Sequence, residues 1–232
     1  MMKKQALVIF VAAAVLLGAF VVFVIQEQKS ALPPSTGSPT PLPGVEIASY
    51  EGKDLTAAES LPDNSIKGPQ HINMTDYRLN ITGLVNQSLS YTYNDVLGKY
   101  PHYTKLVTLH CVEGWDATIL WEGVQVRDLV KDAGPDPRAN TIVFTAADGY
   151  TTSFPLGYIM GRDIIMAYRV NNITLPVDRG YPFQLVAEDK WGYKWIKWIE
   201  KIELTDDPGY RGYWEERGYS NSGDLNQSYV GA

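Results

Sequence analysis

Cys111 is the only cysteine among 232 residues. It sits in the stretch TLHCVEGWDATILWEGVQV, two residues before an acid, Glu113, and a Gly-Trp pair. A lone cysteine cannot close an intramolecular disulfide. Nor can it supply a multi-cysteine zinc or iron–sulfur site. Three uses remain: a small apolar core residue, a redox or nucleophilic thiol, or one thiolate ligand to a metal whose other ligands come from a cofactor. A nucleophile wants a histidine base, and the chain has only His71, His102 and His110. On a strand His110 points to the opposite side from its neighbour Cys111, whereas Glu113 shares the cysteine's face. A thiolate and a carboxylate opening on one pocket suit a metal-centred site.

These residues need a scaffold, and the surrounding patterns describe one. YRLNITG alternates, with Leu79 and Ile81 on one face, and ends at Gly83, which predicts a strand. TYNDVLGKYP reads as a short helix that must stop before Pro101. KLVTLHCVE alternates and predicts a strand, so that Cys111 and Glu113 are expected on it. VQVRDLVKDAG places Val126, Leu129 and Val130 at helical spacing with Gly134 as the stop. NTIVFTAADGY runs into an Asp148-Gly149 turn, and the chain returns from Tyr150 to Phe154. DIIMAYRVNNITLP reads as another strand and turn, and YPFQLVAED as a strand. KWIKWIEKIEL is ambiguous, because Lys190, Lys194, Lys197 and Lys201 fit helical spacing. Gly192 and the β-branched and aromatic content favour a strand. Many strands with a few short helices, in no βαβ order, predict an α+β domain with antiparallel or mixed sheets.

The N-terminal region has a different character. Lys3-Lys4 precede an uncharged, mostly apolar run over 6–25. At about 1.5 Å per residue it spans roughly 30 Å, the hydrocarbon thickness of a bilayer. The run exceeds the core of a signal peptide, and Gln26-Glu27-Gln28 offers no small-residue cleavage site. Residues 1–28 are therefore expected to be a transmembrane anchor. The positive flank leaves the N-terminus in the cytoplasm and the globular part outside. Residues 29–46, KSALPPSTGSPTPLPGVE, form a Pro/Ser/Thr-rich linker that buries no core, and 47–232 form one domain. Asn-x-Ser/Thr triplets begin at Asn73, Asn80, Asn86, Asn172 and Asn226. They are compatible with export and glycosylation, and equally with the use of Asn and Thr in turns. A net charge of −6 argues against a nucleic-acid partner.

In order and spacing, CVEGW, WEGVQV, ADGYTTSFPL, DIIMAYRVNNITLPVDRGYPFQLVAEDKWGYKWIKWIEKIEL and GYWEERGY resemble the molybdopterin-binding domain of the sulfite oxidase family. The likeness covers 76–219, and is greatest to the small one-domain branch that includes periplasmic methionine sulfoxide reductase catalytic subunits. The resemblance implies several β-sheets with flanking helices, and a molybdenum atom held by a pterin dithiolene plus one protein cysteine. Soft sulfur ligands suit such a metal, so one cysteine suffices.

The family's metal-ligand cysteine falls on Cys111, and the acid found beside the metal in this branch falls on Glu113. The pterin carries a phosphate, which needs cationic and amide donors. Arg179 takes the place of an Asn-like pterin contact, and Gln184 stands where the family usually has an arginine. Trp195, Ile196 and Lys197 fall on a segment that contacts the cofactor, with Lys190 and Lys194 nearby. Ala146 occupies a position where the family can carry a threonine. No pterin contact is evident upstream of Tyr77, and a Lys-Lys pair stands where exported members typically carry twin arginines. The resemblance implies a membrane-anchored, extracytoplasmic molybdenum-molybdopterin oxidoreductase that moves an oxygen atom to or from a small oxyanion or sulfoxide. Without a Cys-x-x-Cys-His motif, its electrons are expected to pass through a separate haem or quinone-linked protein. The alternative is a cofactor-free binding or scaffold domain that keeps the fold.

Overall fold

A computed structural model describes residues 44–231. The expected transmembrane helix, and all but the last residues of the linker, lie outside the described residues. Among those described, no helix is long and apolar enough to cross a membrane. The last linker residues are already tied to the domain: the Glu46 carboxylate accepts from Ala58 N (2.7 Å) and Asn171 Nδ2 (3.0 Å).

The strands, in chain order, are β1 (Ser49–Tyr50), β2 (Lys53–Asp54), β3 (Leu79–Gly83), β4 (Leu89–Tyr91), β5 (His102–His110), β6 (Asp116–Gln125), β7 (Thr141–Ala146), β8 (Thr151–Pro155), β9 (Ile165–Val170), β10 (Ile173–Thr174), β11 (Gln184–Val186) and β12 (Ile199–Thr205). Three α-helices intervene among the described residues: α1 (Tyr93–Lys99), α2 (Val126–Ala133) and α3 (Leu156–Gly161). β1 and β2 pair by themselves; of the two larger sheets, one has the order β10-β9-β6-β5, with β11 also on β9, and the second runs β4-β3-β12-β7-β8. β12 lies parallel to β3 and antiparallel to β7, so the second sheet is mixed, as the α+β reading expects.

Local chemistry accounts for these elements. Leu79 and Ile81 are fully buried on one face of β3. Thr92 and Asp95 form a reciprocal capping box at the start of α1, which ends where Tyr100 turns extended ahead of Pro101. α2 buries Val126, Leu129, Val130 and Ala133, and Gly134 ends it in the left-handed conformation (φ 67°). Burial of each of the valines and the leucine stabilises by about 1.5–3 kcal/mol. In β6 the pairing with β9 shifts between Glu122 and Gly123. A Cβ at Gly123 would stand 2.4 Å from the Met166 carbonyl oxygen, so only glycine lets β9 approach there.

Three elements depart from the sequence expectation. β6 is a full ten-residue strand, and α3 follows Pro155 directly. KWIKWIEKIEL does not begin as a strand: a 3-10 turn covers Gly192–Lys194, Trp198 takes a positive φ of 49°, and β12 starts only at Ile199.

Candidate cofactor pocket

Cys111 and Glu113 occupy the loop of the β5–β6 hairpin, whose register runs from His102↔Val124 to His110↔Asp116. Cys111 N donates to Trp115 O (2.9 Å), Gly114 N donates to Cys111 O (3.1 Å), and Gly114 has φ 88°. The expectation that cysteine and glutamate share a strand face is therefore corrected, because β5 ends at His110. They share a side because a tight turn folds Glu113 N–H back to 3.5 Å from the Cys111 sulfur. His110 turns away, as expected, and pairs with Asp116 (2.7 Å).

The sulfur faces a cavity of about 230 Å3. Cys111 is 8% exposed. Burial pushes its thiol pKa up, the Glu113 N–H opposes this, and the Glu113 carboxylate adds to it. The Glu113 carboxylate receives the Trp115 indole N–H at 3.4 Å. Arg179, Gln184, Trp195, Ile196 and Lys197 are on the same lining. Arg179 ends a 3-10 turn (Val177–Arg179) and is buried. Its guanidinium holds Asp178 Oδ2 (2.9 Å) and Pro62 O (3.0 Å). Lys197 Nζ donates to Asp63 Oδ1 (3.1 Å) and Asp178 O (2.9 Å). Burial and the Arg179 cation pull its pKa below the usual lysine range, against the pull of Asp63. Gln184, at the start of β11, is 4% exposed, and its amide has no hydrogen-bond partner among the described residues. Its amide is thus free to donate to, or accept from, a polar group in the cavity that Gln184 lines.

Three sequence-derived residues lie elsewhere. Lys194 is fully buried and does not reach the cavity; its Nζ bonds Ser153 O (2.7 Å), Glu215 Oε1 (2.6 Å) and Asn221 O (3.0 Å). Lys190 pairs with Asp224 and sits over the Tyr158 ring. Ala146 is buried at the end of β7 opposite Ile199, and Asp148 and Tyr150, further along, reach the lining instead.

One wall has no counterpart in the sequence reading. Leu61, Pro62, Asn64, Ser65 and Ile66 line the cavity, and Asn64 Nδ2 stands 3.7 Å from the Cys111 sulfur. Asp63 and Ser65 close a local turn there (Ser65 N to Asp63 Oδ1, 3.2 Å). PDNS is legible as a turn, but nothing local says what the turn faces.

The donor set fits a bulky anionic cofactor with one soft ligand position: one buried sulfur, two cations, an unpartnered amide and aromatic walls. The comparisons with known proteins agree. Residues 66–214 match the family described as oxidoreductase molybdopterin binding domain. Over 157 residues the chain is 31% identical to the uncharacterized oxidoreductase YuiH of Bacillus subtilis (strain 168), covering 67% of this chain and 78% of that one. It is 28% identical over 197 residues to the protein-methionine-sulfoxide reductase catalytic subunit MsrP of Gluconobacter oxydans (strain 621H), covering 75% of this chain and 60% of that one. The sulfane dehydrogenase SoxCD of Paracoccus pantotrophus shares the fold, with a TM-score of 0.60 at 22% identity over 82% of this chain and 57% of that one. Pocket chemistry and sequence matches together place the chain in the molybdopterin-binding oxidoreductase domain family, the sulfite oxidase family, as an enzyme whose cofactor is molybdenum-molybdopterin.

Proposed function

We propose that this enzyme carries out two-electron oxygen-atom transfer on a small oxyanion or sulfoxide, outside the cytoplasmic membrane, with residues 1–28 as its anchor. The observation that carries the reading is the placement of the chain's single thiol on the same cavity as Arg179, Lys197 and the Gln184 amide. Cys111 is the metal ligand. Arg179, Lys197 and Gln184 would hold the pterin phosphate, and Trp195 and Ile196 line the same cavity. When bound, the cofactor supplies the oxygen-atom and two-electron chemistry. The chain's own residues orient and screen that chemistry. Glu113, which accepts from the Trp115 indole N–H, presents its carboxylate on the lining two residues from the sulfur. Trp121 and Trp195, with ring centroids 5.8 Å apart, supply an apolar part of the lining.

Electrons come from a separate haem or quinone-linked protein. Two considerations support this: one cysteine and no haem-attachment motif in the chain, and relatives whose names describe subunits. One is MsrP, a catalytic subunit. Another is the putative protein-methionine-sulfoxide reductase subunit YedZ1 of Azospira oryzae, at 32% identity with 61% of its length covered.

Elemental and pterin analysis of protein purified from its own host tests the cofactor assignment. About one molybdenum and one pterin per chain is expected, and a pterin-free protein would favour the scaffold alternative. The location is tested by fractionation. An uncleaved anchor keeps the protein in membranes through an alkaline wash with an N-terminus at or near Met1. A soluble protein starting in the proline-rich segment would mean a cleaved signal.

A further inference from the structure

We infer that the open edge of β5 is a self-association surface. Its partner is β5 of a second copy of this chain, paired antiparallel about a two-fold axis at Leu106. The inference does not depend on the cofactor reading.

The sheet edges are not alike. A free edge offers N–H and C=O groups to any passing strand, and proteins shield it with short strands, prolines, bulges, lysines or covering loops. Most edges here are shielded. β10 has two residues and β4 three. β11 has three, and Leu185 N donates to Ile196 O (2.9 Å). β8 ends at Pro155, and the chain over 210–213 covers it: Tyr213 N donates to Thr151 O (2.9 Å) and Ser153 Oγ to Tyr210 O (3.2 Å). β5, at the end of its sheet, is different. It has nine residues, holds no proline, and pairs with β6 in one unbroken register. Among the described residues, no backbone–backbone hydrogen bond beyond those to β6 reaches 103–109. The edge closes only at His110, where Trp191 forms a bridge. The single lysine does not guard it, because the Lys105 ammonium is drawn off to Asp163 O (2.9 Å) and Glu188.

The sequence of the edge says what fits it. HYTKLVTLH reads almost alike in both directions. Antiparallel pairing centred on Leu106 sets Leu106 against its own copy, Thr104 against Thr108, Tyr103 against Leu109 and Lys105 against Val107. Thr–Thr and aromatic–aliphatic cross-strand pairs stabilise, and no charge stands directly opposite a like charge. An axis at Lys105 would set two ammonium groups face to face. Thr104 is exposed, and Tyr103, Leu106 and Val107 are half-buried, so these side chains have surface left to cover. At about 3.4 Å per residue the pairing over 103–109 runs roughly 20 Å. A contact of this kind uses the same patch on both copies, so assembly stops at two. Leu109 lines the cavity, and β5 leads directly into Cys111. Pairing therefore braces the strand that carries the thiol.

The test uses the full chain in detergent micelles, with molar mass read by analytical ultracentrifugation over a range of concentrations. Wild type should be a dimer in reversible equilibrium. Leu106→Lys puts two ammonium groups opposite each other on the axis and should raise the dissociation constant about tenfold or more. Register is read by cysteine cross-linking under a mild oxidant, since directly opposed residues of an antiparallel pair lie within disulfide reach. Leu106→Cys meets its own copy and should give a covalent dimer. Thr104→Cys faces Thr108 and should not, whereas Thr104→Cys combined with Thr108→Cys should. Wild type, whose only thiol is Cys111, controls for cross-linking through that residue. Circular dichroism checks the fold of each variant, and if Leu106→Lys does not fold, the cysteine variants decide. A wild type that stays monomeric would overturn the inference. So would a dimer unweakened by folded Leu106→Lys, which would place the contact elsewhere, residues 1–28 included. Failure of Leu106→Cys to cross-link, or cross-linking of Thr104→Cys as readily, would overturn it as well.

Discussion

Lys194 and Lys197 are three residues apart, and the structure sends them to different regions. Lys194 enters the interior behind β8, where Glu215 shares its charge and Thr152 donates a further bond to the same carboxylate oxygen (2.8 Å). Burial pulls the Lys194 ammonium below its usual range, and Glu215 opposes that pull. Lys197 lies on the cavity, with Asp63 and Arg179 as neighbours. One region has its lysine enclosed by protein acceptors. The other has a metal-type ligand, an amide without a partner and paired cations opening on space. The first serves stability and the second serves binding, so mutations in the two should fail in different assays.

The largest effect should come from the pocket's single irreplaceable atom. Cys111→Ser is expected to abolish molybdenum-dependent redox turnover while far-ultraviolet circular dichroism and the melting temperature stay close to wild type. No second thiolate exists to take over. A serine variant with full turnover and full molybdenum content would remove Cys111 from the metal.

Lys194→Met tests the other region. It leaves the fully buried Glu215 carboxyl short of a partner, and Glu215 Oε2 already lacks one. Breaking a buried pair from one side costs about 3–5 kcal/mol, or a drop in melting temperature of about 10 °C for a domain of this size. The double change Lys194→Met with Glu215→Leu should recover much of the loss. A single variant as stable as wild type would show that the interior region is not held by this pair.

The contrast also marks what the sequence could disclose. Periodicity locates α2 and β3, because their apolar faces repeat locally. Turn chemistry locates the Asp148-Gly149 reversal between β7 and β8. The single cysteine and its acid are legible as a pair, although the reason for their proximity is a hairpin turn and not strand alternation. Lys190, Lys194, Lys197 and Lys201 look alike in sequence, since the spacing of charges says nothing about which acid waits 21 residues on in Glu215 or 134 residues back in Asp63. Asn64 was invisible for the same reason. Its partner, Cys111, is 47 residues away, and only the fold brings residues 61–66 over the sulfur.

Next in size are the cations of the pocket. Arg179→Ala and Lys197→Ala each remove one charge-assisted bond, worth roughly 1.5–3 kcal/mol. Each should weaken cofactor retention by about one to two orders of magnitude, read as molybdenum and released pterin per mole after dialysis. Neither should approach the destabilisation of Lys194→Met. Equal losses of melting temperature at Lys194 and Lys197 in pterin-free protein would dissolve the distinction between the regions. Gln184→Arg probes the same wall in the opposite sense. A buried amide without a partner becomes a cation facing a phosphate, and occupancy should stay equal or rise a fewfold.

The smallest effect concerns Asp63, the acid that joins the 61–66 wall to Lys197. Its side chain is 27% exposed, so the pair contributes about 1 kcal/mol or less. Partial burial alone would raise its pKa, but hydrogen bonds from Lys197 and Ser65 outweigh that and hold the carboxyl below the usual range. For an acid depressed in the folded state, the unfolded chain binds more protons as pH falls. The contribution is therefore fully present above the unfolded value of about 3.9 and disappears as pH drops through the lower folded value. Urea midpoints of wild type and Asp63→Asn, both without cofactor, should differ slightly at pH 6 and converge by about pH 2–3. Any acid sensitivity of the Lys194 region would appear in both proteins alike and cancel in the difference. A gap between the two that persisted unchanged through this range would mean that Asp63 acts by packing and not by charge, and that the wall over Cys111 is held by Arg179 and Pro62 alone.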